Sequence, residues 1–126
     1  MRDLYSNIGV VGAITPAVQA ASITGAAVDI KGFRRLAFVL TTGAIVGDGK
    51  FGAKIEVSDD NTTFVDAPTE FVASNAPAEL TADGAFKIGF HGYHRYVRLV
   101  LTKASGTSIV ASAVAVLGDP AIAPVA

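Results

Sequence analysis

Apolar and polar residues alternate along much of this chain, and the period is two. The clearest case is Phe51–Ser58: Phe51, Ala53, Ile55 and Val57 share one face, and Lys54, Glu56 and Ser58 share the other. A strand with one buried face requires this pattern. Asp48-Gly49 precedes it as a turn dipeptide that accepts positive φ, and Asp59-Asp60-Asn61-Thr62 follows it as a second polar turn. Residues 35–42 (RLAFVLTT) are apolar almost throughout, which predicts a central strand covered on both faces. Phe64-Val65 opens a short strand that Pro68 ends or pushes to an edge. Phe86–His91 alternates again after Asp83-Gly84. Two further strands, Tyr96–Thr102 and Ser108–Val116, flank Ser105-Gly106-Thr107 and read as a hairpin. Helix signals are weak. Pro77–Leu80 could form one helical turn, and a helix over 17–23 is disfavoured by its β-branched and small residues.

Many strands separated by Gly, Asp and Asn turns, with no alternation of strand and helix, predict an all-β fold. The expectation is a single antiparallel β-sandwich or jelly-roll-like barrel over residues 1–126, with extended N- and C-terminal segments. Residues 8–30 carry one charge, Asp29, and could supply strands or an arm lying on a neighbour; an arm would occupy residues 1–12. Residues 118–126 (GDPAIAPVA) form an apolar tail stiffened by two prolines. Such a tail loses little ordering entropy on binding, so it predicts docking, with Pro120, Ile122, Pro124 and Val125 as contact candidates.

Composition sharpens this picture. Apolar residues make up 51% of the 126 and charged residues 17%, against about 25% charged in an average domain. A small domain this apolar must leave apolar groups outside, and the abundance of Ala, Val and Gly predicts that these are small and flat. The remedy is a partner that covers them. Net charge is −1, and charges of like sign occur at most in pairs, so the basic stripe of a nucleic-acid binder is missing. There is no cysteine, which excludes disulfides, thiolate metal sites and a Cys nucleophile. No apolar run approaches the ~18 residues of a membrane-spanning helix. The start, Met1–Asn7, has an early acid and no apolar core behind it, so synthesis in the cytoplasm without a signal peptide is expected.

Groups able to do chemistry are sparse, and no catalytic, cofactor-binding or metal-binding residue is assigned. His91 and His94 supply two ligands in one loop, where a metal needs three or four. Asp59, Asp60 and Asn61 have only Asp66 nearby, too few oxygens for calcium, and read as a turn. Gly43, Gly47, Gly49 and Gly52 crowd one stretch, but a strand follows where a phosphate loop needs a helix. Tyr93, Arg95, Tyr96 and Arg98 are the remaining cluster. Alternation puts Tyr96 and Arg98 opposite Val97, Leu99 and Leu101, which suits an outward protein- or sugar-binding patch.

Residues 55–66 (IEVSDDNTTFVD) and 95–102 (RYVRLVLT), with 5–11 (YSNIGVV), 105–111 (SGTSIVA), Gly118-Asp119-Pro120 and 123–126 (APVA), resemble a family of small structural proteins encoded among head genes of tailed phages, prophages and gene-transfer particles. The resemblance covers nearly the whole chain through strand and turn signatures. It implies a non-enzymatic virion protein on the capsid exterior, a decoration or cement protein that binds the major capsid protein between capsomers. Such proteins are often homo-oligomers, with a trimer favoured. The residue 57–64 turn (VSDDNTTF) also recurs in carbohydrate-binding β-sandwiches, so a host-attachment module is one alternative; a minor tail or connector protein is another.

Overall fold

A computed structural model describes residues 5–92 and 94–120. Its strands are β1 (Gly9–Gln19), β2 (Ile23–Thr24), β3 (Val28–Asp29), β4 (Phe33–Val46), β5 (Lys50–Ser58), β6 (Val65–Asp66), β7 (Val72–Ser74), β8 (Ala85–Phe90), β9 (Tyr96–Ser105) and β10 (Ser108–Pro120). Two 3-10 turns, Tyr5–Asn7 and Thr69–Phe71, complete the regular structure. The strands form two antiparallel sheets packed as a β-sandwich. The first has the order β1-β10-β4-β8-β7, and the second has β2-β9-β5-β6 with β3 also on β9.

The core is one layer of side chains from each sheet. The first contributes Leu36, Phe38, Leu40, Ile88 and Phe90, with Ile109, Ala111, Ala113, Ala115 and Leu117. The second contributes Phe51, Ile55, Val57, Val97, Leu99 and Leu101. These are the in-facing positions of period-two strands, so the alternation in the chain becomes the layer itself. On β4 the out-facing residues Ala37 and Val39 remain half-exposed. This corrects the expectation that the strand is covered on both faces: its apolar outward residues are small, and no further element of the described chain lies over them.

The expected hairpin of the last two strands does not form. β9 pairs with β5, β2 and β3 in the second sheet, whereas β10 pairs with β4 and β1 in the first. The connection is an arch that crosses the core. Both strands carry a continuous apolar in-face, and each buries it against the opposite sheet. The β4–β5 link also changes sheets, at Gly47-Asp48, which have φ of 60° and 55°. The two arches nest. A Cβ on Gly106, itself at φ 82°, would stand 2.3 Å from the Asp48 carbonyl oxygen, so only glycine lets the turns approach this closely.

Neither helix signal is realised. Residues 17–19 belong to β1, where Ala17, Val18 and Gln19 pair with Ala111, Val110 and Ile109. Residues 77–80 are irregular; the Leu80 N–H donates to the Phe51 carbonyl at 2.8 Å, and its side chain closes the core. Tertiary pairing and burial outweigh the weak local preference in both places. The final strand runs beyond Val116 to Pro120, whose backbone lies opposite Phe33.

Phe38 is fully buried and its neighbour Val39 faces out. Phe38→Ala should therefore cost about 3–5 kcal/mol, and Val39→Ala about 1 kcal/mol or less. Chemical denaturation of both variants checks the assignment of faces.

Candidate functional site

The sandwich has two outer faces of unlike chemistry. On the second sheet, Glu56 of β5 lies opposite Arg98 of β9 on one side and Asp66 of β6 on the other. The Arg98 Nε donates to the Glu56 Oε1 at 2.8 Å, and the guanidinium stacks over the Phe64 ring at 3.9 Å. Lys54 bonds Asp66 at 2.9 Å and approaches Glu56 at 3.4 Å. Arg95 makes a fork to Asp29, with Nε to Oδ1 at 2.9 Å and Nη2 to Oδ2 at 2.8 Å, and lies 5.0 Å from the centre of the Tyr96 ring. The Arg95 hydrogen bond, against an opposing effect of burial and aided by the Lys31 N–H, draws the Asp29 carboxyl down to about 2.

Arg95, Tyr96 and Arg98 thus come together as their spacing suggests, but each arginine is engaged inside the molecule. Their partners Asp29, Glu56 and Phe64 were not singled out in the sequence. Glu56 alone carried a signal, as an outward residue of the alternating Phe51–Ser58 run. Tyr93, Ile122, Pro124 and Val125 lie outside the described residues, and Pro120 is placed by its backbone alone.

The loops hold local chemistry. The Asp60 carboxylate accepts from the N–H groups of Thr63 (3.0 Å) and Thr62 (2.9 Å) and from the Ser58 hydroxyl (2.8 Å). Those donors lower its pKa to about 2. Asn61 completes the turn with φ 60°. His91 meets the edge of Phe71 at 6.3 Å, and His94 is tilted against Phe90 at 6.2 Å. Among the described residues no group of three or more His, Asp or Glu is placed to hold a metal.

The outer face of the first sheet is different. Strand β10 keeps Ala111, Ala113 and Ala115 in the core and turns Val110, Ser112, Val114 and Val116 outward. Between the buried Ile109 and Leu117, valines therefore face outward over inward alanines. Edge strand β1 adds Val10 and Val18, which are 61% and 65% exposed. On β4 and β8 the outward positions are Arg35, Ala37, Val39, Thr41, Ala85, Lys87 and Gly89, so Arg35 and Lys87 are the only charges there. Where side chains are smallest, Ala37, Ala73 and Gly89 floor a hollow of about 340 Å³ edged by Ser74, Asn75 and Lys87. The expectation of small, flat apolar groups outside finds its location here. The outward valines at 110, 114 and 116 were a signal in the chain, legible once the inward phase is known.

No protein-family model matches the chain, and no curated protein matches its sequence. Among solved structures it is similar to the SPBc2 prophage-derived protein YomS, with a TM-score of 0.54 and 10% identity over 94% of this chain and 100% of that one. At such low identity the likeness concerns the fold. A chain from the structure of infectious bursal disease virus, Gx strain, aligns with a TM-score of 0.47 and 20% identity over 87% of this chain, which spans 31% of that chain. We draw on the first likeness alone.

Two outcomes follow from the polar geometry. Arg98→Ala removes a half-buried ion pair together with a ring contact and should cost about 1–2 kcal/mol. Arg95→Ala breaks a more exposed pair and should cost less than Arg98→Ala. Urea unfolding of both variants tests the order. Asp60 has a depressed pKa, so its contribution is complete above about pH 4 and is lost as pH falls toward 2. Asp60→Ala should lower the melting temperature at pH 7, and scanning calorimetry should find the gap to the parent protein closing in acid.

Proposed function

We propose that this protein is a non-enzymatic structural component of a phage-type virion, acting as a capsid decoration or cement protein. The observation that carries the proposal is the apolar outer face of the first sheet, where Val110 and Val114 of β10 and Val10 and Val18 of β1 stand exposed. A free-standing domain gains most by putting its larger apolar groups in the core. Apolar side chains left outside, on a face with almost no charge, suit a protein that works while covered by other protein. The resemblance of the chain to phage head proteins gives that cover a setting. The prophage origin stated in the name of YomS, which shares the fold, agrees with it.

In this role the major capsid protein is the partner and the capsid exterior is the location. Repetition over a symmetric shell supplies avidity, so each contact can be modest. A protein that binds the assembled shell and not free subunits shifts the equilibrium toward assembly by mass action. The charged face of the second sheet, with its ion pairs internally matched, is suited to face solvent.

Purified particles should contain the protein at a copy number in the hundreds, as quantitative mass spectrometry would report; six or twelve copies would mean a neck or tail component. Absence from particles would overturn the proposal. Because Gly118 and Pro120 pair with Arg35 and Phe33, the informative truncation begins at residue 121. Deleting residues 121–126 spares every described strand and should lower capsid occupancy.

A further inference from the structure

One end of the sandwich gathers positive charge around a hollow. The turn Ile30–Phe33, which leads into β4, is closed by the Phe33 N–H donating to the Ile30 carbonyl at 3.0 Å, with Gly32 at φ 92°. A positive φ at the third residue of a turn favours glycine, and it leaves Lys31 at the corner. The loop between β8 and β9 is tied to this turn twice. The Ile30 N–H donates to the Arg95 carbonyl at 3.0 Å, and the Arg95 side chain forks onto Asp29. Between turn and loop lies a hollow of about 500 Å³, lined by Ile30, Lys31, Phe33, Arg34, His94 and Arg95. Arg34 has the inward parity of Leu36 and Phe38. It therefore continues the inner side of β4 past the end of the core, away from the outer face of the first sheet.

Three of the chain's ten basic residues stand on this lining and no acid does, although the net charge of the chain is −1. The nearest matched acid is Asp29, which holds Arg95 and accepts from the Lys31 N–H. Three cations against one carboxylate leave two positive charges. Lys31 and Arg34 are exposed, and among the described residues neither side chain has a carboxylate partner. The Arg95 fork uses Nε and Nη2, so its Nη1 hydrogens remain to be given. Like charges held around one concave place repel each other and attract a counter-charge.

We propose that this hollow binds two neighbouring carboxylates on an acidic segment of another protein. The lining decides among anions. Lys31, Arg34 and Arg95 offer donors, Ile30 and Phe33 offer apolar surface, and apart from the His94 imidazole no side chain on it accepts. Sugar hydroxyls need acceptors as well as donors, so an acidic glycan would leave polar groups unmatched here. A lone phosphate has the charge but not the size, and it leaves Ile30 and Phe33 uncovered. Adjacent Asp or Glu side chains beside an apolar residue meet every demand. Ionised carboxylates only accept, two of them balance the two surplus charges, and the planar Arg34 guanidinium suits a carboxylate in fork geometry. The apolar neighbour then lies on Ile30 and Phe33. This site is separate from the apolar face assigned to the capsid and does not depend on that role.

The test is an amide NMR titration of the full chain at low ionic strength, where charge attraction is least screened. The probe is the blocked peptide Leu-Glu-Glu-Leu, with its Gln-Gln and Lys-Lys counterparts, inorganic phosphate and glucuronate as separate arms. The acidic peptide should move the signals of residues 30–34, 92, 94 and 95. Combining Lys31→Gln with Arg34→Gln should weaken it at least about tenfold, with the fold retained by circular dichroism. Combining Lys31→Glu with Arg34→Glu should turn the preference to the Lys-Lys peptide. Absence of shifts at these residues overturns the inference. So does a Gln-Gln peptide, phosphate or glucuronate that binds as tightly as the acidic peptide, or a neutral double variant that binds unchanged. A chain lacking residues 121–126 should bind the peptide as the full chain does. Binding that appears only after that deletion would mean that the chain's own segment fills the hollow, and would overturn the proposal of a foreign partner.

Discussion

The structure depends on one constraint: two sheets must meet across a single layer of apolar side chains, and the chain must change sheets without leaving any strand's apolar face in water. Phe38 and Leu40 on one side, and Leu99, Leu101 and Phe51 on the other, are fully or almost fully buried at the centre of that layer. The arches at Gly47-Asp48 and Gly106 satisfy the second requirement. They carry β4 to β5 and β9 to β10 across the core, and they nest so tightly that a side chain at Gly106 would strike Asp48. A hairpin at either place would have set two apolar strands side by side in one sheet and left the opposite sheet short of a strand.

The same constraint sorts the chain's few charges. Glu56, Arg98, Lys54 and Asp66 gather on the outer face of the second sheet, where cross-strand register brings opposite signs together. Arg95 and Asp29 extend this group at the β3–β9 pairing. The outer face of the first sheet is mostly valine, alanine, glycine, serine and threonine, with Arg35 and Lys87 as the charges on β4 and β8. One hydroxyl pair there, Thr41 with Ser112 at 2.7 Å, is satisfied across the strands without calling on water. A domain with one charged and one nearly uncharged face has a direction, which the proposed virion role would use.

The strength of these surface contacts should not be overstated. Exposed ion pairs such as Lys54–Asp66 contribute little, because solvent screens them. Burial in the central layer supplies the stability, while the pairs and the Asp60 turn hold β6 and the residue 58–63 loop against the second sheet. Arg98 belongs to both descriptions, since its guanidinium is held by Glu56 and covers Phe64.

The sequence by itself determined the class of fold. Period-two alternation in Phe51–Ser58 and the in-facing Val97, Leu99 and Leu101 are local facts, since a strand's side chains alternate wherever the strand goes. It also determined that apolar surface would be left outside and that Tyr96 and Arg98 would point outward, because composition and parity need no partner. Only the tertiary structure decided which strands are neighbours. Gly106 reads as a tight turn in either case, and whether it closes a hairpin or spans the core depends on what β9 and β10 can each bury. Pairing likewise turned residues 17–19 into strand, gave Arg98 its Glu56, and set Val10, Val116, Ala37, Gly89 and Ala73 in one row from five separate strands. The reason is that alternation fixes the side of a residue relative to its own chain neighbours, whereas pairing partners and surface shape come from register between segments far apart in sequence.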